Sequence, residues 1–215
     1  MSASWICISK IPPTCVQTAQ DFVWSKAERM PVVPVAFHIL MNELGFARCE
    51  VDHAVFYRRS MDSALVIIVV HVDDCTIALS KHELIDELKT CIKEFVEITD
   101  MGELHWLLGI EVKRDREACT ILLSQHSYID SIVRCFGFED LKPITTPMDP
   151  NAKLSTAQNP STGAQYAAMR NVPYREVVGA LMYAMLGTCP DISYAVTTVS
   201  KFSSNPGMAH WDAVK

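Results

Sequence analysis

The feature that most constrains this chain is an apolar run that ends in two adjacent acids. Residues 64–78 read Ala-Leu-Val-Ile-Ile-Val-Val-His-Val-Asp-Asp-Cys-Thr-Ile-Ala. The β-branched residues of its first half predict a strand that is buried on both faces, because such side chains pack well on a pleated surface. A second apolar run, Cys75–Leu79, follows at once. The segment therefore predicts a β-hairpin with Asp73 and Asp74 at its tip.

The paired carboxylates of Asp73 and Asp74 indicate a cation site. Two adjacent negative charges repel each other, and placing them beside a dry strand is costly unless a cation neutralises them. Carboxylate oxygens suit Mg²⁺, which usually takes one or two protein carboxylates and shares its other positions with water and substrate phosphates. We therefore predict that both residues bind Mg²⁺, and an ordinary Asp-Asp turn is the alternative.

Short motifs in a fixed order resemble a known polymerase family. His71-Val72-Asp73-Asp74 is similar to the Tyr-x-Asp-Asp box of reverse transcriptases. Other pieces resemble the polymerase of copia-type LTR retrotransposons. They lie at residues 44–46, 52–57, 98–104, 107–112, 123–125, 128–129, 146–148, 174–183, 189–196, 205–206 and 210–211. Each piece is a weak signal alone, and their common order carries the resemblance. It identifies the chain as a reverse transcriptase region of a Pol polyprotein, truncated at both ends.

The resemblance implies an α+β fold. We expect a partial polymerase palm, an antiparallel sheet with helices, followed by a helical region like the thumb or connection of these enzymes. A change of composition between Lys142 and Pro173 toward Pro, Ser, Thr, Asn and Gln predicts a linker. The expected segments are a divergent or unassigned one at 1–34, a partial palm with a primer-grip-like hairpin at 35–141, a linker at 142–172 and a helical segment at 173–215.

The resemblance also implies roles for single residues. In the family, hairpin aspartates hold Mg²⁺ for two-metal nucleotidyl transfer, so Asp73 and Asp74 are the expected catalytic and metal-binding residues. His71 stands where the family has tyrosine and is expected to contact nucleic acid. Leu108 and Gly109 resemble the tight bend that holds the primer end, and a glycine there lets the backbone approach a sugar-phosphate chain closely.

One expected metal ligand of the family is not recognisable. Full-length relatives carry another metal-binding aspartate on an earlier palm strand. Asp21 is the only acidic residue before Glu28, but it lies in a Phe-Val-Trp neighbourhood that is simply interpreted as a packing patch. Enzymatic activity is therefore uncertain. The expected function is a reverse transcriptase fragment that binds template-primer and dNTP and is weak or inactive alone; the alternative is a non-catalytic remnant that binds nucleic acid or pairs with a polymerase.

Charge and composition limit which partners and which cellular compartment we expect for the chain. A net charge of −6 argues mildly against an autonomous polymerase, because affinity for phosphate usually comes from clustered Lys and Arg. The chain shows no secretory signal and no apolar run near the roughly 20 residues that a bilayer requires. We expect an intracellular protein, in cytoplasm or nucleus. An incomplete palm would expose a sheet edge, so residues 1–34 cover it, a partner covers it, or the chain self-associates.

Local patterns predict two helix boundaries. Apolar spacing from Val35 predicts a helix that Gly45 ends in a left-handed conformation. Ser80 and Glu83 predict a capping box at the start of a helix with an apolar face formed by Leu84, Ile85, Leu88, Ile92 and Phe95. Lys81, Lys89 and Lys93 are expected on the solvated side of that helix, although a lysine in this part of the family could assist departure of pyrophosphate.

Overall fold

The computed structural model describes residues 6–9, 18–24, 32–59, 64–81, 83–149 and 151–215, and up to residue 34 it describes the backbone only. The chain divides into two compact units. The first, here the sheet unit, contains residues 8–105 and 114–121, and the second, the helical unit, contains residues 1–7, 106–113 and 122–215. Helices and antiparallel strands together give the α+β class that the sequence predicts.

The described strands form two sheets. In chain order they are β1 (Ile6–Ser9), β2 (Thr18–Trp24), β3 (Ala47–Arg48), β4 (Val55–Arg59), β5 (Leu65–His71), β6 (Asp74–Leu79), β7 (Ile98–Glu103), β8 (Trp106–Leu107), β9 (Ile110–Asp115) and β10 (Thr120–Ser124). The six-stranded sheet has the order β3-β4-β5-β6-β2-β7, and the four-stranded sheet has the order β1-β10-β9-β8. The predicted hairpin at residues 64–79 is confirmed, and β9 pairs with β10 in a second hairpin.

The described helices are short apart from one. They are α1 (Val32–His38), α2 (Leu84–Lys93), α3 (His126–Cys135), α4 (Gly163–Met169), α5 (Tyr174–Gly187), α6 (Ser193–Ser200) and α7 (Met208–Val214). A π-helical turn, Ile39–Glu43, extends α1, and Gly45 follows it with φ +68°, the left-handed conformation that the sequence predicts. Single 3₁₀ turns occupy Thr156–Gln158 and Pro190–Ile192. No helix of the described chain is long and apolar enough to cross a membrane.

The core of the sheet unit lies on one face of the six-stranded sheet. Val66, Ile68 and Val70 of β5 are buried and form one cluster with apolar residues of α1 and α2. The alternate residue Val69 is 38% exposed. The prediction that this strand is buried on both faces is therefore wrong, because within this unit the helices cover one face and the strand alternates as an antiparallel strand does.

Strand β2 covers the β6 edge of the β5–β6 hairpin. It lies between β6 and β7, and its register runs antiparallel to β6 from Thr18–Leu79 to Val23–Asp74. Residues 18–24 therefore cover the edge that β6 would otherwise expose, which is the first of the three possibilities raised for an exposed sheet edge. Sequence periodicity did not predict this strand, since its partners lie more than 50 residues away.

In the helical unit, buried side chains of α5 and α6 form the core. The Tyr174 hydroxyl donates to the Val199 carbonyl at 2.7 Å, and both residues are buried. The fully buried His210 of α7 accepts from the Gly207 N–H at 2.9 Å, and its Nε2 lies 3.1 Å from the Ser155 carbonyl oxygen. The segment predicted to be a linker thus contains α4 and a stretch that contacts α7.

Three local predictions around α2 are wrong. Ser80 does not cap the helix, since its hydroxyl bonds the backbone of Leu65 across the hairpin and Glu83 makes no side-chain cap. Phe95 lies beyond the end of α2 and is 46% exposed. Lys89 is buried rather than solvated, because its ammonium lies 2.6 Å from the Asp100 carboxylate of β7.

Candidate functional site

The predicted acidic pair lies at the tip of the β5–β6 hairpin. His71 and Asp74 face each other as the last cross-strand pair, and Val72 and Asp73 form the two-residue turn between them. Val72 has a φ of +58°, a conformation that a β-branched residue rarely adopts. The first central position of the turn therefore has positive φ, as in the tight hairpin turns whose twist matches that of the strands. Asp73 is presented at the bend and Asp74 opens β6.

The two carboxylates lie in a partly dry environment. Asp73 and Asp74 are both half-buried, and His71 beside them is exposed. Among the described residues, neither carboxylate makes a salt bridge or a side-chain hydrogen bond. Their negative charge is therefore not neutralised by a neighbouring cationic side chain of the described chain, which leaves the oxygens able to bind an added cation.

Strand β2 brings a third acidic residue near the pair in the sheet. Val23 is in register with Asp74, and Asp21 is in register with Thr76. Because alternate positions of an antiparallel strand share a face, position 21 lies on the same face of the sheet as position 74. The interpretation of Asp21 as part of a packing patch concerns a side chain outside the described residues. The backbone register alone makes Asp21 a neighbour of the site.

The donor set of the described residues suits one divalent ion held together with a substrate. No three described His, Cys, Asp or Glu side chains converge to hold a metal. Asp73 and Asp74 supply oxygen ligands, which Mg²⁺ prefers, and Mg²⁺ commonly takes one or two carboxylates while water and phosphates complete its shell. The residues present therefore fit the ion that the family resemblance implies, with the remaining ligands left to come from substrate and solvent.

The second predicted element, Leu108–Gly109, is a tight turn in the helical unit. It joins β8 to β9, where Trp106 pairs with Glu111 and Leu107 with Ile110. Leu108 has φ +50° and Gly109 has φ +78°, the two positive values that a type I′ turn requires. The predicted bend is confirmed as a turn, and contact with nucleic acid stays a prediction for both residues. A feature that sequence reasoning missed is the Tyr183 hydroxyl of α5, which donates to the Leu108 carbonyl.

Two arginines that could attract phosphate, Arg58 and Arg116, make contacts with other residues of the fold. The Arg58 guanidinium donates to the Leu44 carbonyl at 2.6 Å and lies over the Phe46 ring. Arg116 is paired with Glu103 at 2.8 Å. Burial, with Arg116 as a further cause, lowers the pKa of Arg114.

Comparison with known proteins relates most of the chain to one family. The family described as "Reverse transcriptase (RNA-dependent DNA polymerase)" matches residues 32–150, a range that includes both Asp73–Asp74 and Leu108–Gly109. No solved structure matches the chain significantly.

Three relatives illustrate the similarity. The chain is 35% identical over 179 residues to the Retrovirus-related Pol polyprotein from transposon TNT 1-94 of Nicotiana tabacum, which covers 83% of this chain and 14% of the relative. It is 33% identical to the Pol polyprotein from transposon RE1 of Arabidopsis thaliana, over 80% of this chain and 11% of the relative. An uncharacterized mitochondrial protein of Arabidopsis thaliana is 33% identical over 69% of this chain and 58% of its own length. The chain thus spans only a small part of the Pol polyproteins that it matches.

Proposed function

Because the chain belongs to the reverse transcriptase family, as part of a copia-type retrotransposon Pol polyprotein, we propose that its β5–β6 hairpin binds Mg²⁺ and a template-primer. Asp73 and Asp74 are the ion's protein ligands. The single observation that carries this proposal is the hairpin tip, where two half-buried carboxylates without a cationic partner among the described residues stand at a tight turn. Mg²⁺ in such a site supplies charge neutralisation at the primer hydroxyl and at the triphosphate.

The chain's own residues would position substrate beside that ion. Asp73, at the bend, is the main ligand and Asp74, at the start of β6, the supporting one. His71 faces Asp74 across the hairpin and offers an exposed ring edge to the template-primer. Separately, in the helical unit, the Leu108–Gly109 turn contacts a primer end. We expect nucleotide addition by this chain alone to be weak or absent, because Asp73 and Asp74 alone would position the ion and the substrate loosely. Misplacement of reacting groups by about 1 Å already costs roughly a hundredfold in rate.

Metal binding provides the first test. We expect Mn²⁺, used as a paramagnetic probe in place of Mg²⁺, to broaden NMR signals of residues near Asp73, and excess Mg²⁺ to reverse the effect. Asp73→Asn should weaken binding at least tenfold, because the substitution removes one of two carboxylate charges. Asp140→Asn, at an exposed position, is the matched control. Equal Mn²⁺ binding by wild type and Asp73→Asn would contradict the proposed site.

Primer extension on an RNA template with Mg²⁺ and dNTPs provides the second test. We expect wild type to add few or no nucleotides. Robust extension that Asp73→Ala abolishes would contradict the weak-activity part of the proposal and would indicate that another residue completes the site. Asp21→Asn is then the informative variant, because β2 aligns position 21 beside β6.

The second candidate function is a non-catalytic remnant that binds nucleic acid or pairs with a polymerase chain. It is favoured by His71, which stands at the hairpin tip where the family has tyrosine. Salt-dependent binding to an RNA–DNA hybrid, unchanged by Asp73→Ala and by removal of Mg²⁺, is the expected result for this function. Absence of binding at low salt would exclude it.

A further inference from the structure

The Leu108–Gly109 turn carries a conformational cost that its own strands do not offset. Leu108 adopts φ +50° although it is not a glycine, which is a costly conformation for an L-residue. Strand β8 contains only Trp106 and Leu107, so two cross-strand pairs are all that hold the turn from that side. A ladder of this length is marginal alone. Some other contact must keep the turn in place.

Tyr183 of α5 provides that contact. Its hydroxyl donates a hydrogen bond to the Leu108 carbonyl. The same oxygen approaches Gly109 so closely that an added Cβ there would lie 3.4 Å from it. The Tyr183 hydroxyl therefore lies next to the turn, and its hydrogen bond fixes the peptide that joins Leu108 to Gly109.

The Tyr183 ring is itself held in position. Tyr128 of α3 meets it edge to face, with ring centroids 4.8 Å apart and an interplanar angle of 78°. The Tyr128 hydroxyl lies 3.3 Å from the Ala180 carbonyl oxygen on the same helix as Tyr183. Burial, with Tyr183 as the second cause, raises the pKa of Tyr128. Contacts between α3 and α5 thus hold the Tyr183 hydroxyl in position against the turn.

The outer side of the turn is free to receive a ligand. Leu108 is 46% exposed and Trp106, two residues before it, is 52% exposed. An exposed indole beside a tight, glycine-containing bend suits the sugar and base of a terminal nucleotide, because bases stack on aromatic faces and the glycine admits close backbone approach.

We propose that Tyr183 is a positioning residue, whose hydroxyl holds the Leu108–Gly109 turn in the conformation that receives the 3′ end of a primer. This inference rests on the proposed function and assigns to α5 a role in recognising the primer terminus. Tyr183 does not itself contact the nucleic acid; it acts through the Leu108 peptide.

Binding of two RNA–DNA hybrids to the full chain tests the role. One hybrid has a recessed primer 3′ end, the other is closed at both ends by loops and has no free 3′ end, and both have the same duplex length. We expect Tyr183→Phe to weaken binding to the recessed hybrid about fivefold to tenfold, the size of one hydrogen bond. Binding to the closed hybrid should not change. Tyr166→Phe, which removes a hydroxyl from an exposed tyrosine of α4, is the matched control.

Hydrogen exchange of the free protein gives an independent measurement. Peptides covering residues 106–112 should exchange faster in Tyr183→Phe than in wild type or Tyr166→Phe, because the turn loses its support. Unchanged exchange, or an equal loss of affinity for both hybrids, would overturn the positioning role and leave the proposed function standing. Failure of wild type to bind either hybrid would overturn the proposed function and this role with it.

Discussion

At the scale of single residues, the hairpin tip stores backbone strain at Val72. This valine has φ +58° and is 61% exposed, so it occupies an unfavourable conformation and gains little from burial. The left-handed conformation costs an L-residue roughly 1–2 kcal/mol, and part of that cost is recovered when glycine replaces it. The turn is thus held by the pairing of β5 with β6 rather than by the preference of its own sequence.

We expect Val72→Gly to stabilise the chain by up to about 1 kcal/mol, since relief of the left-handed strain exceeds the entropy lost by glycine on folding. Urea unfolding followed by circular dichroism measures the change. Val51→Gly is the control, because Val51 is 97% exposed and has no positive φ. If the two variants are equally destabilised, strain at the tip is not the cause.

An ion pair between the buried Lys89 and the exposed Asp100 links α2 to β7. The ammonium and carboxylate lie 2.6 Å apart, and the two side chains are 5% and 40% exposed. The hydrogen bond from Lys89, helped by the Gly102 N–H, lowers the pKa of Asp100 below its ordinary value of 3.8. The carboxylate therefore stabilises the folded chain at neutral pH. That contribution is lost as the pH falls below 3.8 through the lower pKa of the folded state.

We expect Asp100→Asn to lower the free energy of unfolding by about 1–2 kcal/mol at pH 7, the range for one hydrogen bond to a charged group after discount for solvent screening. The difference from wild type should shrink toward zero in strong acid, where Asp100 is protonated. Unfolding curves recorded from neutral to acidic pH check this, with the exposed Asp140→Asn as control. A difference that is independent of pH would contradict the role of the charge.

Residue-level properties were only partly predictable from the sequence. Gly45 and Gly109 were placed correctly because a glycine at a helix end or a tight bend carries a local conformational signal. Lys89 was misplaced because helical spacing says nothing about Asp100, whose strand begins after α2 has ended. Ser80 satisfies the local capping pattern, but its hydroxyl bonds Leu65, a residue that the hairpin brings near.

At the scale of elements, a buried tyrosine joins two helices of the helical unit. Tyr174 begins α5, is 2% exposed, and donates to the Val199 carbonyl of α6. Burial raises the pKa of Tyr174 from its ordinary 10.0 to about 12. The neutral form is therefore favoured in the folded state. The stability that it contributes is present below pH 10 and is lost as the pH rises toward 12.

We expect wild type to lose stability between pH 10 and 12 with a slope of up to about 1.4 kcal/mol per pH unit from this one group. Tyr174→Phe should be less stable at pH 7 by about 1 kcal/mol and should lack that part of the alkaline slope. Chemical unfolding at several alkaline pH values measures both effects. Tyr166→Phe should keep the wild-type slope, and an identical slope in Tyr174→Phe would refute the assignment.

Elements with a strong local pattern were predicted well. The β5–β6 hairpin follows from its two apolar runs, and the segment at 173–215 that is predicted to be helical contains α5, α6 and α7. Helix α4 was missed because its exposed residues lack an apolar pattern. Its N-cap is Thr162, whose hydroxyl accepts from the Gln165 N–H. Strand β2 was missed because its pairing with β6 depends on residues far away in the chain.

At the scale of the whole molecule, the six-stranded sheet depends on a strand that lies outside the family match. The match covers residues 32–150, whereas β2 (Thr18–Trp24) lies between β6 and β7. Without β2, β6 would present unpaired backbone groups and β7 would lose the strand that joins it to the sheet. Self-association through an exposed sheet edge, which the sequence suggests, is therefore a property to expect of a shortened chain.

We expect a chain that lacks residues 1–31 to self-associate as its concentration rises, and to do so more than the full chain. Sedimentation velocity at several concentrations measures the change. Replacement of Phe22 by proline in the full chain should have a similar but smaller effect, because it removes one backbone donor from the strand. A deleted chain that remains monomeric would show that β2 is dispensable for the edge.

The position of β2 also sets the order in which the sheet can be assembled. The β5–β6 hairpin closes across a two-residue turn, so it can form within microseconds. Strand β2 must wait for partners that follow it by more than 50 residues, and closing so long a loop carries a larger entropic penalty. High contact order of this kind slows folding. During synthesis on the ribosome, Thr18–Trp24 would emerge before β6 and β7 and remain without its strand partners until both had followed.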